Sequence, residues 1–293
     1  MQHERVSENV YWFQSEIFAQ VTAGAITGTQ WAVVIDTLAM PDETLQMRQY
    51  IEETLGMPVR YVINTHYHAD HTWGNCFFPG ATVLAHNLCR KAMQEKAVPA
   101  LDITRQNNSA FSKSKIVLPH LTFSQGTMTL RVGKKNLILM TTPGHSADGI
   151  SVLVEEDRVL FAGDAFMPLP HFVDGDIDIL SETIKQIGKM GLENIVQGHG
   201  DIILRGEIDT AVKENLTYLV NIRKAVKSAS RKRDPEEALS MVDIESCGKS
   251  RVYLGGLGEE LHRRNLKSFY LRCLREDASA IAVDDNEIRP TAE

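Results

Sequence analysis

The sequence predicts an α/β chain, with a layered domain over residues 1–206 followed by a helical region over residues 207–293. Three observations carry that reading. Short apolar runs alternate with helically spaced segments through the first two thirds of the chain, which favours strands layered against helices. Several of those runs end at a glycine. From about residue 207 the pattern changes to helices alone.

The elements follow in order. Residues 10–36 hold short apolar runs separated by Gly-containing turns, ending in Trp31-Ala32-Val33-Val34-Ile35-Asp36, and read as early strands. Residues 43–55 place Leu45, Met47, Ile51 and Leu55 at helical spacing, with Gly56 and Pro58 as stop signals. Val59–Ile63 reads as a strand running into Thr65-His66, and Ala81–Ala85 as another, with a helix from about Asn87. Leu137–Met140, Ile150–Val154 and Arg158–Phe161 are further strands. Glu182–Met190 reads as a helix capped by Ser181, and Asn194–Val196 as a last short strand. Asp209–Ala229 is a long helix. A second begins at Asp234-Pro235-Glu236-Glu237, where a capping Asp, a first-turn Pro and acidic residues suit a helix start. Glu259–Arg275 is a third, and the last dozen polar residues are expected to fray.

The chain has 293 residues, 43% hydrophobic and 24% charged, enough for one large domain with a sizeable core. A formal net charge of −7 argues against general nucleic-acid binding. The cysteines (Cys76, Cys89, Cys247 and Cys273) form no Cys-x-x-Cys pair, and read as free thiols in a reducing compartment. Cys76 follows the main motif closely enough to be considered for the site's wall. No apolar secretory core opens the sequence and no run approaches a membrane span, so the expected location is the cytoplasm, with no membrane partner.

The decisive segment is Thr65-His66-Tyr67-His68-Ala69-Asp70-His71. His66, His68 and Asp70 are spaced by two and project to one side of an extended chain. His71, next to Asp70, is aimed elsewhere if the chain bends there. One loop then offers imidazoles and a carboxylate to two neighbouring metals. A lone histidine is usually an ordinary surface or core residue. A cluster this dense is costly to bury without a cation. Three further segments end an apolar strand in a glycine followed by a potential ligand: Gly144-His145, Gly163-Asp164 and Gly198-His199. Glycine lets the backbone turn sharply and approach a site closely. The candidates are therefore His66, His68, Asp70, His71, His145, Asp164 and His199, enough for two metals.

The motif Thr-His-x-His-x-Asp-His resembles the signature of the metallo-β-lactamase superfamily. The order Asp36, residues 66–71, His145, Asp164, His199 is similar to that family's successive motifs, and the match spans about residues 10–200. The resemblance implies an αβ/βα sandwich: two mixed sheets face to face, helices outside, here with a C-terminal helical appendage. It implies that His66, His68 and His145 hold one metal, that Asp70, His71 and His199 hold the other, and that Asp164 bridges them. Asp36 and Thr65 would orient ligands by hydrogen bonds.

The implied chemistry is attack by a hydroxide held between two divalent metals on an ester, thioester, lactone or amide carbonyl, with Asp70 as ligand and orienting group. Zinc is the expected metal. Iron and manganese remain chemically open, because the donor set has no thiolate. The expected substrate is a small acyl molecule. After Asp164 the chain reads Phe166-Met167-Pro168-Leu169-Pro170-His171-Phe172, which departs from the Gly- and Arg-containing stretch of the glyoxalase II subgroup and puts glutathione thioesters in doubt. This apolar loop is expected to shape an acyl pocket, with His171 as a substrate contact. The basic residues Arg223, Lys224, Lys227, Arg231, Lys232 and Arg233 read as a solvated helix face or a grip for an anionic handle. A phosphodiesterase or nuclease of the same superfamily is the alternative reading. Leu216, Leu219 and Val226 need a surface to bury against, which leaves a homodimer open.

Overall fold

The structure is a computed structural model that describes the backbone of residues 1–287 and the side chains through Arg275. One sheet has seven strands in chain order: β1 (Gln2–Ser7), β2 (Val10–Gln14), β3 (Thr22–Thr27), β4 (Ala32–Ile35), β5 (Val59–Ile63), β6 (Thr82–His86) and β7 (Leu121–Phe123). It is antiparallel from β1 to β4 and parallel from β4 to β7. The second sheet has six strands, ordered β13 (Ile202–Leu204), β12 (Asn194–Gln197), β11 (Val159–Gly163), β10 (Ile150–Val154), β9 (Lys135–Thr141) and β8 (Thr127–Val132). Only its β11–β12 pair is parallel.

Alternation along the strands explains the layers, because successive side chains point to opposite faces. Val33 and Ile35 of β4 face Val159 and Phe161 of β11 in a core between the sheets. Ala32 and Val34 face outward, against Met47 of helix α1 (Pro41–Gln49) and Ile51 of the wide turn that extends it. On the other side, Leu160 and Ala162 face Leu180 and Ile184 of α5 (Ile177–Gly188) and Tyr218 and Ile222 of α6 (Ile208–Ala229). The order helix, sheet, sheet, helix is the αβ/βα sandwich expected. Leu219 and Val226 are buried in this same core and Leu216 packs against it, so these residues find their surface within the chain.

The remaining helices are α2 (Ala69–Thr72), α3 (Asn87–Ala92), α4 (Val98–Asn107), α7 (Pro235–Ser240) and α8 (Gly258–Glu287). Several boundaries differ from the sequence reading. The helix placed at Glu182 starts at Ile177. Its cap is Asp176, which accepts from the Asp178 and Ile179 amides, and Ser181 lies inside the helix. β13 follows the strand read as the last. Helix α8 runs past Arg275 to Glu287, and positions 288–293, part of the stretch expected to fray, lie outside the described residues.

Candidate metal centre

The seven predicted ligands come from the segments that follow four strands, and all converge at one edge of the sandwich. His66, His68, Asp70 and His71 come from the loop between β5 and α2 and from α2 itself. His145 follows β9, Asp164 follows β11 and His199 follows β12. They form two groups, His66–His68–His145–Asp164 and Asp70–His71–His199, each with ligand atoms within 4.8 Å of one another. His68 Nδ1 lies 3.0 Å from both His66 Nε2 and His145 Nε2. Asp164 touches both groups: Oδ2 is 3.3 Å from His145 Nε2 and 3.5 Å from His199 Nε2, and Oδ1 is 3.2 Å from His71 Nε2. Asp70 Oδ2 is 3.3 Å from His199 Nε2.

The outward-facing ring nitrogens decide what the inward-facing ones can do. His145 Nδ1 faces the His171 carbonyl at 2.7 Å, and His199 Nδ1 faces the Ala19 carbonyl at 2.9 Å. A carbonyl only accepts, so both nitrogens carry the proton. His68 Nε2 meets the Asp174 carboxylate at 3.1 Å, and His71 Nδ1 meets Asp36 Oδ2 at 2.8 Å. The Thr65 hydroxyl donates to Asp36 Oδ2 at 2.6 Å, which leaves its oxygen to accept from His66 Nδ1 at 3.1 Å. These partners assign the neutral tautomers. In each neutral ring the inward nitrogen then holds a lone pair. Five such lone pairs and two carboxylates crowd one buried spot. His71 Nε2 and Asp164 Oδ1 are buried with no hydrogen-bond partner although they lie 3.2 Å apart, as expected of two acceptors. Imidazole and carboxylate donors without thiolate fit two divalent cations.

Without a cation the same crowding is relieved by protons. Burial opposes charge on His199, but Asp164 and Asp70 outweigh it and raise the ring to about 10. His71 is likewise raised, against burial, by Asp164, Asp36 and Asp70. Burial pushes His145 down to about 3, and it lowers His66 as well, helped by the neighbouring His71.

The backbone is shaped to this purpose. Asp36 sits at φ 57°, a left-handed conformation that Asp tolerates, and from there its other oxygen accepts from the Thr65 amide at 2.8 Å. A Cβ on Gly198 would fall 1.9 Å from Asp164 Oδ1, so only glycine lets this chain pass behind the shared carboxylate. Asp174 was not foreseen from sequence: besides His68 it accepts from the Tyr67 hydroxyl at 3.0 Å, and Lys96 in turn donates to that hydroxyl at 3.0 Å.

His68, Asp70, His145, Asp164 and His199 floor a cavity of about 360 Å³ whose wall includes Phe18, Met167, Leu257, Leu261, His171 and Arg264. Burial lowers the His171 ring to about 4, so it faces the cavity neutral at physiological pH. Of the loop after Asp164, Met167 and His171 line this cavity, while Phe166, Leu169 and Phe172 turn into the core. The contribution of α8 was missed. Cys76 does not line this cavity; its thiol packs near the Trp73 carbonyl. The basic residues of α6 and of the turn after it do not line it either. Arg223 pairs with Asp178, and Lys224, Lys227, Arg231, Lys232 and Arg233 face solvent. Arg264, paired with Glu260, is the cation of the wall.

The sequence model of the metallo-beta-lactamase superfamily matches residues 17–231. Among curated proteins, the chain is 23% identical over 186 residues to a beta-lactamase-like protein 2 homolog of Caenorhabditis elegans, covering 64% of this chain and 56% of that one. It is 25% identical over 250 residues to an atrochrysone carboxyl ACP thioesterase of Pseudocercospora fijiensis, covering 83% and 65%. The chain spans about half the length of several curated relatives it matches. Among solved structures, a metallo-beta-lactamase family protein of Thermus thermophilus superposes with a TM-score of 0.66 at 17% identity, over 92% of this chain and 94% of that one, a likeness of fold. With the fold, the strand-end ligands and the family match in agreement, the chain belongs to the metallo-beta-lactamase superfamily.

Proposed function

We propose that the chain is a binuclear, zinc-dependent hydrolase of carboxylic acyl bonds, with thioesters foremost and esters, lactones and amides in the same class. The observation that carries this reading is the cluster of five imidazoles and two carboxylates, of which His68, Asp70, His145, Asp164 and His199 open into one cavity with largely apolar walls. His66, His68 and His145 would hold one ion and Asp70, His71 and His199 the other, with Asp164 shared. Bound zinc would supply Lewis acidity toward a carbonyl oxygen and make water ionisable near neutral pH.

The chain's own groups complete the site. Burial favours the neutral form of Asp70, but His71 and His199 beside it hold the carboxyl below the usual carboxylate range. An ionised Asp70 on the cavity wall can accept a hydrogen bond from water and aim it, a task of orientation more than of strong base. Phe18, Met167 and Leu261 keep bulk water from the acyl group. In thioester hydrolysis the C–S bond breaks, a C–O bond forms from water, and the thiol leaves with a proton. The thioesterase among the relatives supports placing thioesters first. Phosphodiester cleavage gains nothing from the basic residues of α6 and of the turn after it, since they lie outside the cavity. The free thiols of Cys76, Cys89 and Cys247 suit a reducing compartment. Among the described residues no helix is long and apolar enough to cross a membrane.

The test is turnover by zinc-loaded protein of a thioester, a lactone, a β-lactam and a phosphodiester, with Asp70→Ala as control. Acyl turnover lost in the variant supports the proposal. Turnover of the phosphodiester alone, or wild-type rates in the variant, contradicts it.

A further inference from the structure

Beside the metal cavity lies a second one, of about 480 Å³, between the β12–β13 turn, helix α6 and the segment that leads into α8. Among the described residues two line both cavities, Met167 and Leu254. Both are deeply buried, at 3% and 2% exposure. Neither is part of the core between the sheets or of the cores beneath the helices, so what their side chains fill is the wall between the cavities. Leu254 holds that place at a cost. Its backbone is left-handed, at φ 58° and ψ 41°, a conformation that disfavours any residue with a Cβ. Gly255 and Gly256 continue the turn at φ 67° and 95°. Glycine at 254 would make the same turn without strain, so what leucine adds is its side chain. Met167 is fixed by α6, whose buried Asn215 donates to the Met167 carbonyl at 3.1 Å.

A partition of this kind acts on chain length. On the metal side Phe18, Leu257 and Leu261 offer apolar surface, and beyond the partition Ile202, Ile203 and Ala211 offer more. Each methylene that finds such surface adds about fourfold in affinity. A chain end that reaches a buried leucine gains nothing further, because a packed side chain does not yield. We propose that Leu254, backed by Met167, is the residue that determines how long an unbranched acyl chain the metal centre accepts. With its carbonyl at the metals, such a chain fills the metal cavity and stops at the partition. Removing the leucine side chain opens the metal cavity into its neighbour and lets a longer chain through. This assignment rests on the acyl-hydrolase reading above.

The experiment runs p-nitrophenyl esters from butanoate to dodecanoate on zinc-loaded wild type, Leu254→Ala, Leu254→Gly and Met167→Ala. Each kcat/KM is divided by that of the butanoate in the same protein, so a general loss of activity cancels. In wild type the ratio should climb with length, then break and fall. In the Leu254 variants the break should move to longer chains, and the first ester past the wild-type break should gain about tenfold or more, the worth of two further methylenes. Leu254→Gly removes the strain with the side chain, so it carries the test if Leu254→Ala folds poorly. No break in wild type, the same break in every variant, or a shift in Met167→Ala alone overturns the assignment. A binding readout separates this from the hydrolase reading: calorimetric titration of the zinc-loaded proteins with straight-chain hydroxamic acids from butano- to dodecanohydroxamic acid, whose head group chelates zinc without turnover. A break in affinity that moves in the Leu254 variants supports the partition even if no ester is cleaved, in which case the acyl reading alone fails. Affinity that climbs evenly with length in wild type overturns the partition even if every ester is cleaved.

Discussion

Replacing Asp36 with asparagine removes one negative charge from beneath the metal centre and almost nothing else. Asn keeps the size of Asp and tolerates the φ of 57° found there, so the backbone should hold. The amide oxygen can still accept from the Thr65 N–H at 2.8 Å. The other position, Oδ2, serves two donors: His71 Nδ1 at 2.8 Å and the Thr65 hydroxyl at 2.6 Å. An NH₂ group there would face donors with donors. His71 loses the bond that fixes its tautomer. The Thr65 hydroxyl, deprived of its acceptor, turns toward His66 Nδ1 and disturbs a ligand of the other group. Loss of one orienting partner lowers metal affinity about 10- to 100-fold. Because one oxygen here supports a ligand in each group, the expectation is the upper end, about 100-fold or roughly 2.8 kcal/mol. The assay is competition for zinc against a chromophoric chelator at fixed pH, with circular dichroism to verify the fold. A folded Asp36→Asn protein that binds zinc within twofold of wild type refutes the reasoning.

Three further outcomes follow from the same geometry. Asp174→Asn should weaken zinc binding by about tenfold, the low end, because this carboxylate is 44% exposed and water can replace part of its bond to His68; the same competition titration reads it. Gly198→Ala should abolish tight metal binding while leaving a folded chain, since the new methyl occupies the place of the Asp164 carboxylate; metal analysis of the purified variant checks this. Lys249→Met should stabilise the protein, by up to about 3 kcal/mol near pH 7, because burying the charge lowers the lysine from 10.5 to about 8. Between those pH values the unfolded chain binds more protons than the folded one, so wild-type stability should rise with pH across that window and the variant should lose the rise; urea melts at pH 7, 8, 9 and 10 measure both.

The candidate metal ligands were legible because their chemistry is local. His66, His68, Asp70 and His71 are adjacent in sequence, and His145, Asp164 and His199 share the pattern of a strand ending in glycine. The groups that orient them were legible only in part. Asp36 and Thr65 were anticipated from the resemblance. The partners of His145 and His199 are the backbone carbonyls of His171 and Ala19, which have no signature of residue type. Asp174 lies 106 positions from His68 and meets it only through the fold. The cavity wall from α8 was hidden for the same reason: Leu261 and Arg264 follow an ordinary helical pattern, and Leu257 just before the helix has no signature of residue type. β1 was missed because its sequence, QHERVS, is a mostly exposed polar edge strand with no apolar alternation. The helix expected at Glu182 was displaced because two caps were available, and Asp176, in an extended conformation, reaches the amides that Ser181 cannot.

The most direct test of the account is the number of zinc ions bound per chain, measured by elemental analysis after reconstitution and removal of excess metal. Wild type should hold two, and Asp164→Ala, which removes the carboxylate touching both groups, should hold at most one. A wild-type protein that binds one ion or none at saturating zinc, or an Asp164→Ala protein that still holds two, would contradict a binuclear centre at this site.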